Sequence, residues 1–258
     1  FPGPFNLELV VAEFRPDALP DRRRFVFDDP LPAGPSRLLV EPHSDPGGLE
    51  VSGKIYGYWD NWELAGYAAR THFRSPAYRF GATEIVGRYP RLHTYGASLG
   101  GSFGKSVLTL EAGYYDSRED RSGTDPSVEN SQLRALVGYS RQLVEDTTLG
   151  VQLYAERMSD YGAYVAALPA GFPRKERLRT IATVRFTQLY RHQTVILNVF
   201  AFLGLSSSDR LIIPSVRYAV TDNFWVEAGA NFFGGSGGGM FGALKDNDNL
   251  YVTLRYAF

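Results

Sequence analysis

The stretch RLRTIATVRFT, residues 177–187, has two faces that do not belong to the same kind of protein. Leu178, Thr180, Ala182, Val184 and Phe186 alternate with Arg177, Arg179, Ile181, Thr183, Arg185 and Thr187. Successive side chains of a β-strand point to opposite sides of the sheet, so each set lines one surface. The division recurs in other segments. Residues 145–158 set Leu149, Val151, Leu153 and Ala155 against Gly150, Gln152, Tyr154 and Glu156. Residues 105–117 set Leu108, Leu110, Ala112 and Tyr114 against Thr109, Glu111, Gly113 and Tyr115. A water-soluble barrel would turn its apolar face inward around a small core. Charged residues spaced by glycines, strand after strand, cannot then lie on a dry inner surface, because an isolated buried charge costs several kcal/mol. Inversion removes the conflict: the charged face meets a wet lumen and the apolar face meets lipid. Closing such a sheet into a barrel leaves no backbone N–H or C=O unpaired in hydrocarbon.

Period-2 alternation predicts about twelve strands, near 5–14, 48–60, 62–73, 91–102, 105–117, 130–142, 146–158, 176–189, 192–206, 209–220, 223–235 and 247–258. Most have roughly the length that a tilted membrane-crossing strand needs. No segment reads as an amphipathic helix. The connections alternate in length. Short turns stand at 60–61 (DN), 103–105 (FGK), 144–146 (VED), 190–193 (YRHQ) and 221–223 (TDN). Long polar or Gly/Pro-rich connections stand at 15–47, 74–90, 118–129, 159–175 and 236–246, with one short exception near 206–209. Tight turns on one rim and long loops on the other are the signature of an outer-membrane barrel, turns in the periplasm and loops outside. The expected fold is therefore all-β: an antiparallel transmembrane β-barrel of about 12 strands, a single domain over residues 1–258.

Composition sets the outer bounds. A net charge of −1 and a pI near 6.5 give no bulk basic surface for nucleic acid. The absence of cysteine excludes disulfides, thiolate metal sites and covalent haem. Tyrosine (16), phenylalanine (17) and glycine (27) are plentiful, as in β-rich proteins. The longest apolar run, VILNVFAFLGL (195–205), is too short for a bilayer-spanning helix, which needs ~20 residues. No charged-then-apolar leader opens FPGPFNLELV, so a targeting peptide is expected to have been removed or to lie outside this stretch.

Phase assigns candidate lumen-lining residues: Glu8, Glu50, Lys54, Glu63, Glu111, Arg134, Glu156, Arg177, Arg179, Arg185, Arg217, Glu227 and Arg255. Two readings stand open. The charges form a transverse field that selects solutes, as charged rings do in pores, or they pair into an internal salt-bridge ladder that fills a narrow barrel. In the ladder, Glu227 lies between Arg217 and Arg255, and closure of the barrel brings Arg255 beside Glu8. Aromatics near strand ends fit interfacial girdles: Tyr58, Trp59, Trp62, Tyr139, Phe224 and Tyr256 at the turn rim, Tyr114, Phe232 and Phe233 at the loop rim. Trp225 is in phase with the lumen.

Other motifs read blandly. LGGSFGKS (99–106) lacks the first glycine of a phosphate-binding loop and has no helix after it, so it is a strand end and a turn. GGSGGGMFG (234–242) reads as an outer hairpin loop. His72 and His93 flank one outer loop without the carboxylate or thiolate that a metal site needs nearby, so no metal, cofactor or catalytic residue is expected. A barrel hydrolase would need serine and histidine on the lipid-facing wall, and Ser98 is in phase with the lumen. Arg22, Arg23 and Arg24 in the long first loop could pair with lipopolysaccharide phosphates or simply be solvated, offset by Asp28 and Asp29.

The chain ends NDNLYVTLRYAF. Leu250, Val252, Leu254, Tyr256 and the terminal Phe258 form an unbroken alternating set that resembles the recognition strand read by outer-membrane assembly machinery. LELVVAEFRPDALP (7–20), LTLEAGYYDSRED (108–120), IIPSVRYAVTDNFWVEAGANFF (212–233) and FGALKDNDNLYVTLRYAF (241–258) resemble the C-terminal part of a large proteobacterial outer-membrane, porin-like family known as a domain of unknown function. The resemblance implies a multi-pass protein of the Gram-negative outer membrane, in contact with lipid, lipopolysaccharide and the barrel assembly machinery. It implies passage of a hydrophobic or amphipathic solute; the charged, glycine-rich inner face leads to the expectation of a passive porin-like channel for a small or amphipathic solute, without cofactor or catalysis. It also implies strands before residue 7 in longer members, so this chain is either a compact 12-stranded relative or part of a larger barrel. The alternative function is a non-conducting barrel that docks in an envelope export or electron-transfer complex.

Overall fold

The computed structural model describes residues 5–17, 31, 34–43, 48–236 and 239–258. Fifteen strands run in chain order: β1 (Phe5–Ala12), β2 (Ser36–Val40), β3 (Glu50–Trp59), β4 (Trp62–His72), β5 (Ala77–Phe80), β6 (Glu84–Arg88), β7 (Arg91–Phe103), β8 (Ser106–Ser117), β9 (Gln132–Val144), β10 (Thr147–Met158), β11 (Leu178–Tyr190), β12 (Val195–Gly204), β13 (Arg210–Thr221), β14 (Phe224–Gly234) and β15 (Asn249–Tyr256). Twelve of them form one antiparallel sheet in the order β1-β3-β4-β7-β8-β9-β10-β11-β12-β13-β14-β15, neighbours in sequence lying side by side. The other three form a small sheet, β2-β6-β5, in which β2 and β6 run parallel. It is built from the outer connections.

The turns follow their sequences. Asp60, with φ 52°, leads the Asp60–Asn61 turn between β3 and β4, and Gly104, with φ 58°, leads the Gly104–Lys105 turn between β7 and β8. A left-handed residue in a two-residue loop matches the right-handed twist of the flanking strands, and Asp, Asn and Gly accept it most easily. The phosphate-loop lookalike at 99–106 is thus a strand end and a hairpin turn.

Register keeps one face of the large sheet mainly polar and the other mainly apolar across most of its strands. Glu8 opposes Lys54, Lys54 opposes Tyr67, Gly113 opposes Arg134, Arg134 opposes Glu156, and Arg217 opposes Glu227. On the other face Leu7 opposes Ile55, Leu110 opposes Val137, Leu153 opposes Ala182, and Ala230 opposes Leu250. That apolar face has no covering layer: Leu9 is 71%, Leu64 58% and Leu250 82% exposed. A soluble two-layer β-protein buries such a face against a second sheet or a helix. Many of the buried hydrophobic side chains instead lie at the loop rim: Phe14 against Tyr89 with ring centroids 4.8 Å apart, Phe73 and Leu92, and Ala77 and Ile85 of the small sheet itself. Among the described residues no helix is long and apolar enough to cross a membrane.

The sheet is staggered and curled. Walking the hydrogen-bond register from Phe5 passes Gly57, Leu64, Leu99, Leu110, Val137, Leu153, Ala182, Leu203 and Arg210 and arrives at Gly234. The path begins at the turn rim and ends at the loop rim, the drift that barrel geometry demands of tilted strands. The expected closed barrel is not seen: the sheet is open, β1 pairing only with β3 and β15 only with β14. No ion pair joins Glu8 to Arg255 among the described residues, and the two edges are exposed along nearly their whole length.

Some expectations need correction. Tyr58 opposes Glu63 and Phe233 opposes Leu211, so both lie on the polar face and not in a lipid-facing girdle; a one-residue shift in strand phase moves a side chain to the other surface. A short helix, α1 (Tyr161–Ala167), occupies the connection read as helix-free. Tyr164 buries into the loop rim and its hydroxyl accepts the Lys175 N–H at 3.1 Å, so local packing holds this short helix. The Arg22–Arg24 triplet lies outside the described residues.

Candidate functional site: the charged face of the sheet

The polar face repeats one arrangement three times. Lys54 on β3 lies 2.9 Å from Glu63 on β4, with its ammonium 4.2 Å from the centre of the Tyr56 ring. Arg134 on β9 lies 3.3 Å from Glu156 on β10, over the Tyr115 ring of β8 at 4.0 Å. Arg217 on β13 lies 2.9 Å from Glu227 on β14, over the Trp225 ring at 4.2 Å. Each cation therefore has a carboxylate on the next strand and an aromatic face beneath it. Guanidinium and ammonium groups are attracted to the negative face of a ring, most strongly where water is partly excluded.

Neighbouring polar groups hold these clusters in place. Nε and Nη2 of Arg134 both donate to Oε1 of Gln132, at 3.0 and 2.7 Å, and the Tyr154 hydroxyl donates to Glu156 at 2.8 Å. Tyr67 and Ser98 share a 2.9 Å hydrogen bond. A recess of about 330 Å³ lies here, lined among others by Tyr67, Ser98, Glu111, Tyr115, Arg134 and Tyr154. Those residues come from five successive strands, β4 to β10 in sheet order, so the polar face is the concave one.

All three ion pairs run along the wall between adjacent strands. None spans the concavity. Other polar-face charges stand apart: among the described residues Glu111 on β8, Arg179 and Arg185 on β11, and Arg255 on β15 have no ion pair. The structure thus divides the lumen-phase set into the ion-paired Lys54, Glu63, Arg134, Glu156, Arg217 and Glu227 and four charges without an ion pair among the described residues. Glu8 faces Lys54 in register without closing on it. Arg255 opposes Trp225, one step from Glu227, and takes no part in a three-membered ladder. Glu50 closes off the loop end of β3 by binding Arg74 at 2.6 Å and accepting the His72 N–H at 3.1 Å. Arg177 precedes β11 and is exposed at the loop rim.

His72 is 5% exposed, edge-on to the Phe14 ring at 5.4 Å; contrary to the sequence expectation a carboxylate stands beside it, Glu50 at 3.6 Å from Nδ1, and it borders a recess shared with Arg74 and Glu129. Among the described residues no three His, Asp or Glu side chains lie close enough together to hold a metal ion. The set Leu250, Val252, Leu254 and Tyr256 falls on the apolar face, and Phe258 is fully exposed beyond it.

Two features escaped sequence reasoning. The run 195–205 is apolar on both faces, so the concave surface itself turns apolar at Ile196, Phe200 and Phe202 of β12 and at Leu211 and Ile213 of β13. The signal was in the sequence, in a strand with only Asn198 to mark its polar side. At the loop end of this stripe Phe241 packs against Phe202, ring centroids 4.8 Å apart, and against Phe233 at 6.4 Å. Asp209 secures that loop: its carboxylate accepts the N–H groups of Met240 at 2.8 Å and Gly242 at 3.1 Å. No protein-family model and no curated relative matches this chain.

Proposed function

We propose that this chain is an outer-membrane β-barrel whose charged, concave face lines a water-filled passage for a small or amphipathic solute, moving by diffusion without a cofactor. The observation that carries the reading is the division of faces: an uncovered apolar surface backs a concave surface on which charged side chains recur in register from Glu8 on β1 to Arg255 on β15. In lipid that arrangement is self-consistent, since hydrocarbon covers the apolar face and water covers the charges. In water it would leave an apolar surface far larger than soluble monomers expose. Closure of β1 on β15 belongs to the proposal, because an unpaired edge in hydrocarbon costs several kcal/mol for each bare N–H or C=O. Phe258 and its alternating partners serve as the strand that the assembly machinery engages, and lipopolysaccharide surrounds the loop rim. Reconstitution into planar lipid bilayers tests the reading. Discrete conductance steps in KCl are the expected result; a folded, heat-modifiable protein that conducts nothing would overturn it.

One observation favours a second reading, a non-conducting barrel that docks in an envelope export or electron-transfer complex. The small sheet at the loop rim exposes Leu38, Leu39, Val40 and Phe80, between 40% and 56% each. Recovery of a stoichiometric partner from native membranes, with no conductance from the isolated chain, would establish it.

A further inference from the structure

We propose that the recess in front of Arg185 binds a small organic anion with an aromatic or short aliphatic body. The proposal names the solute class of the passage proposed above and rests on that reading for its biological meaning, though not for its test.

Arg185 stands in the middle of β11, exposed on the concave face. The three mid-sheet cations Lys54, Arg134 and Arg217 each have a carboxylate within 3.3 Å; Arg185 has none among the described residues. What it has is the Phe200 ring, 5.6 Å from its guanidinium carbon. A guanidinium without a carboxylate offers its forked donors to a ligand, and planar carboxylates take them two at a time.

The surroundings select further. On the β12 side the concave face is apolar, through Phe200, Ile213 and Phe202. Such side chains on a wetted wall gain nothing until apolar surface covers them. On the β10 side Gln152 and Thr183 are already joined, the Thr183 hydroxyl donating to Gln152 at 3.2 Å. A recess of about 260 Å³ runs from Phe200 past Arg185, Thr183 and Gln152 to Gly138 and Thr109, so that of the apolar side chains on the β12 side Phe200 is the one that borders it. Sites for drug-sized ligands start at roughly 300 Å³, so this one suits a small molecule.

Gly150 helps to open the recess, which Gly138 of β9 also lines. Gly150 sits directly opposite Arg185 in the sheet, in the interior of β10. Its φ is not positive, and a Cβ there would find its nearest neighbour at an ordinary 3.6 Å. Neither backbone nor close approach requires glycine, which in a strand costs about 0.5–1 kcal/mol relative to alanine. Its consequence is empty space beside an unpaired arginine and a phenylalanine ring. An inorganic anion would use the arginine alone and a neutral aromatic the ring alone; an aryl or short alkyl carboxylate uses both.

The test is calorimetric titration of the folded full-length chain in detergent, against protein-free micelles, with benzoate, acetate and benzyl alcohol. Benzoate is expected to bind about tenfold more tightly than either of the others. Arg185→Gln should reduce benzoate to the level of benzyl alcohol, and Phe200→Ala to the level of acetate. Arg185→Lys should fall between wild type and Arg185→Gln, since it keeps the charge without the fork. Gly150→Leu should remove binding by filling the recess while leaving both contact residues in place, and Lys105→Gln in the β7–β8 turn should change nothing. Equal affinity for the three probes, or benzoate affinity unaltered in folded Arg185→Gln, overturns the proposal. Conductance is read separately: a chain that binds benzoate but passes no current would sink the passage and keep the site, and a chain that conducts KCl while treating the three probes alike would do the reverse.

Discussion

Asp209 shows how much one side chain of this protein can organise. It is 7% exposed, sits in the short β12–β13 connection, and holds two backbone amides from a loop more than thirty residues away. Asp209→Ala would leave both amides without their acceptor, at a local cost of about 1–3 kcal/mol. The expected outcome is faster hydrogen exchange at Met240 and Gly242, with the β12 and β13 amides unchanged. Asp125, in the β8–β9 loop, makes a pH-dependent contribution of the same local kind. Burial alone would raise its carboxyl, but hydrogen bonds from the Ser127 hydroxyl (2.6 Å) and N–H (3.0 Å), together with Arg79, hold it below its ordinary value of 3.8. A depressed carboxylate stabilises the folded loop fully above its unfolded value and loses that contribution as pH falls through the folded one. Loop protection should therefore persist at neutral pH and fade below about pH 4, and Ser127→Ala should move the fading upward in pH. Exchange of the loop amides across a pH series measures both. The two cases also differ in what a sequence can reveal. Arg217 and Glu227 were readable as neighbours because a three-residue turn sets their strands side by side, whereas nothing local to Asp209 names the loop it will hold.

A single element can decide between the two faces. Gln152 and Leu153 are consecutive in β10; the first opposes Gly138 and Thr183 on the concave side, the second Val137 and Ala182 on the apolar side. With the apolar face in lipid, as proposed, Leu153→Arg should cost ~2–4 kcal/mol near the middle of that face, whereas Gln152→Arg enters the polar concave face at little cost. Refolding into lipid vesicles, followed by heat-modifiable migration and urea titration, should show Leu153→Arg unfolding at lower urea and Gln152→Arg close to wild type. Similar losses in the two variants would remove the assignment of faces. The long strands were legible for the reason that makes this test possible: ten or more residues of strict alternation outweigh any local propensity. β2, β5 and β6 were not, since four or five residues give too short a pattern and β2 reaches β6 across more than forty residues in parallel. Helix α1 is too short to show a period at all.

At the scale of the molecule, the question is what meets the two edges. The sheet has an even number of antiparallel strands, so β1 and β15 run in opposite directions and can pair as the rest do. Glu8 is in phase with Lys54, and Arg255 with Trp225, which places both on the concave face. Pairing Glu8 with Arg255 would keep the apolar and polar surfaces continuous around the proposed barrel, whereas a slip of one residue would carry Arg255 onto the apolar face. The stagger from Phe5 to Gly234 means that such a closure tilts the strands, as barrels require. Closure would also join the acidic first strand to a cation that lacks a carboxylate among the described residues. Because the chain contains no cysteine, a Glu8→Cys, Arg255→Cys pair would carry its only two thiols. Side chains directly opposed in an antiparallel pair have Cβ atoms about 4.5–5.5 Å apart, and a disulfide forms near 3.5–4.5 Å with modest adjustment. In lipid-reconstituted protein, mild oxidation should yield an intramolecular cross-link that shifts gel mobility and reverses with reductant, while Glu8→Cys paired with Thr253→Cys should cross-link less. No cross-link in the first pair, from protein that still shows heat-modifiable folding, would mean that other strands lie between β1 and β15, and the proposed passage would then be wider than twelve strands alone enclose.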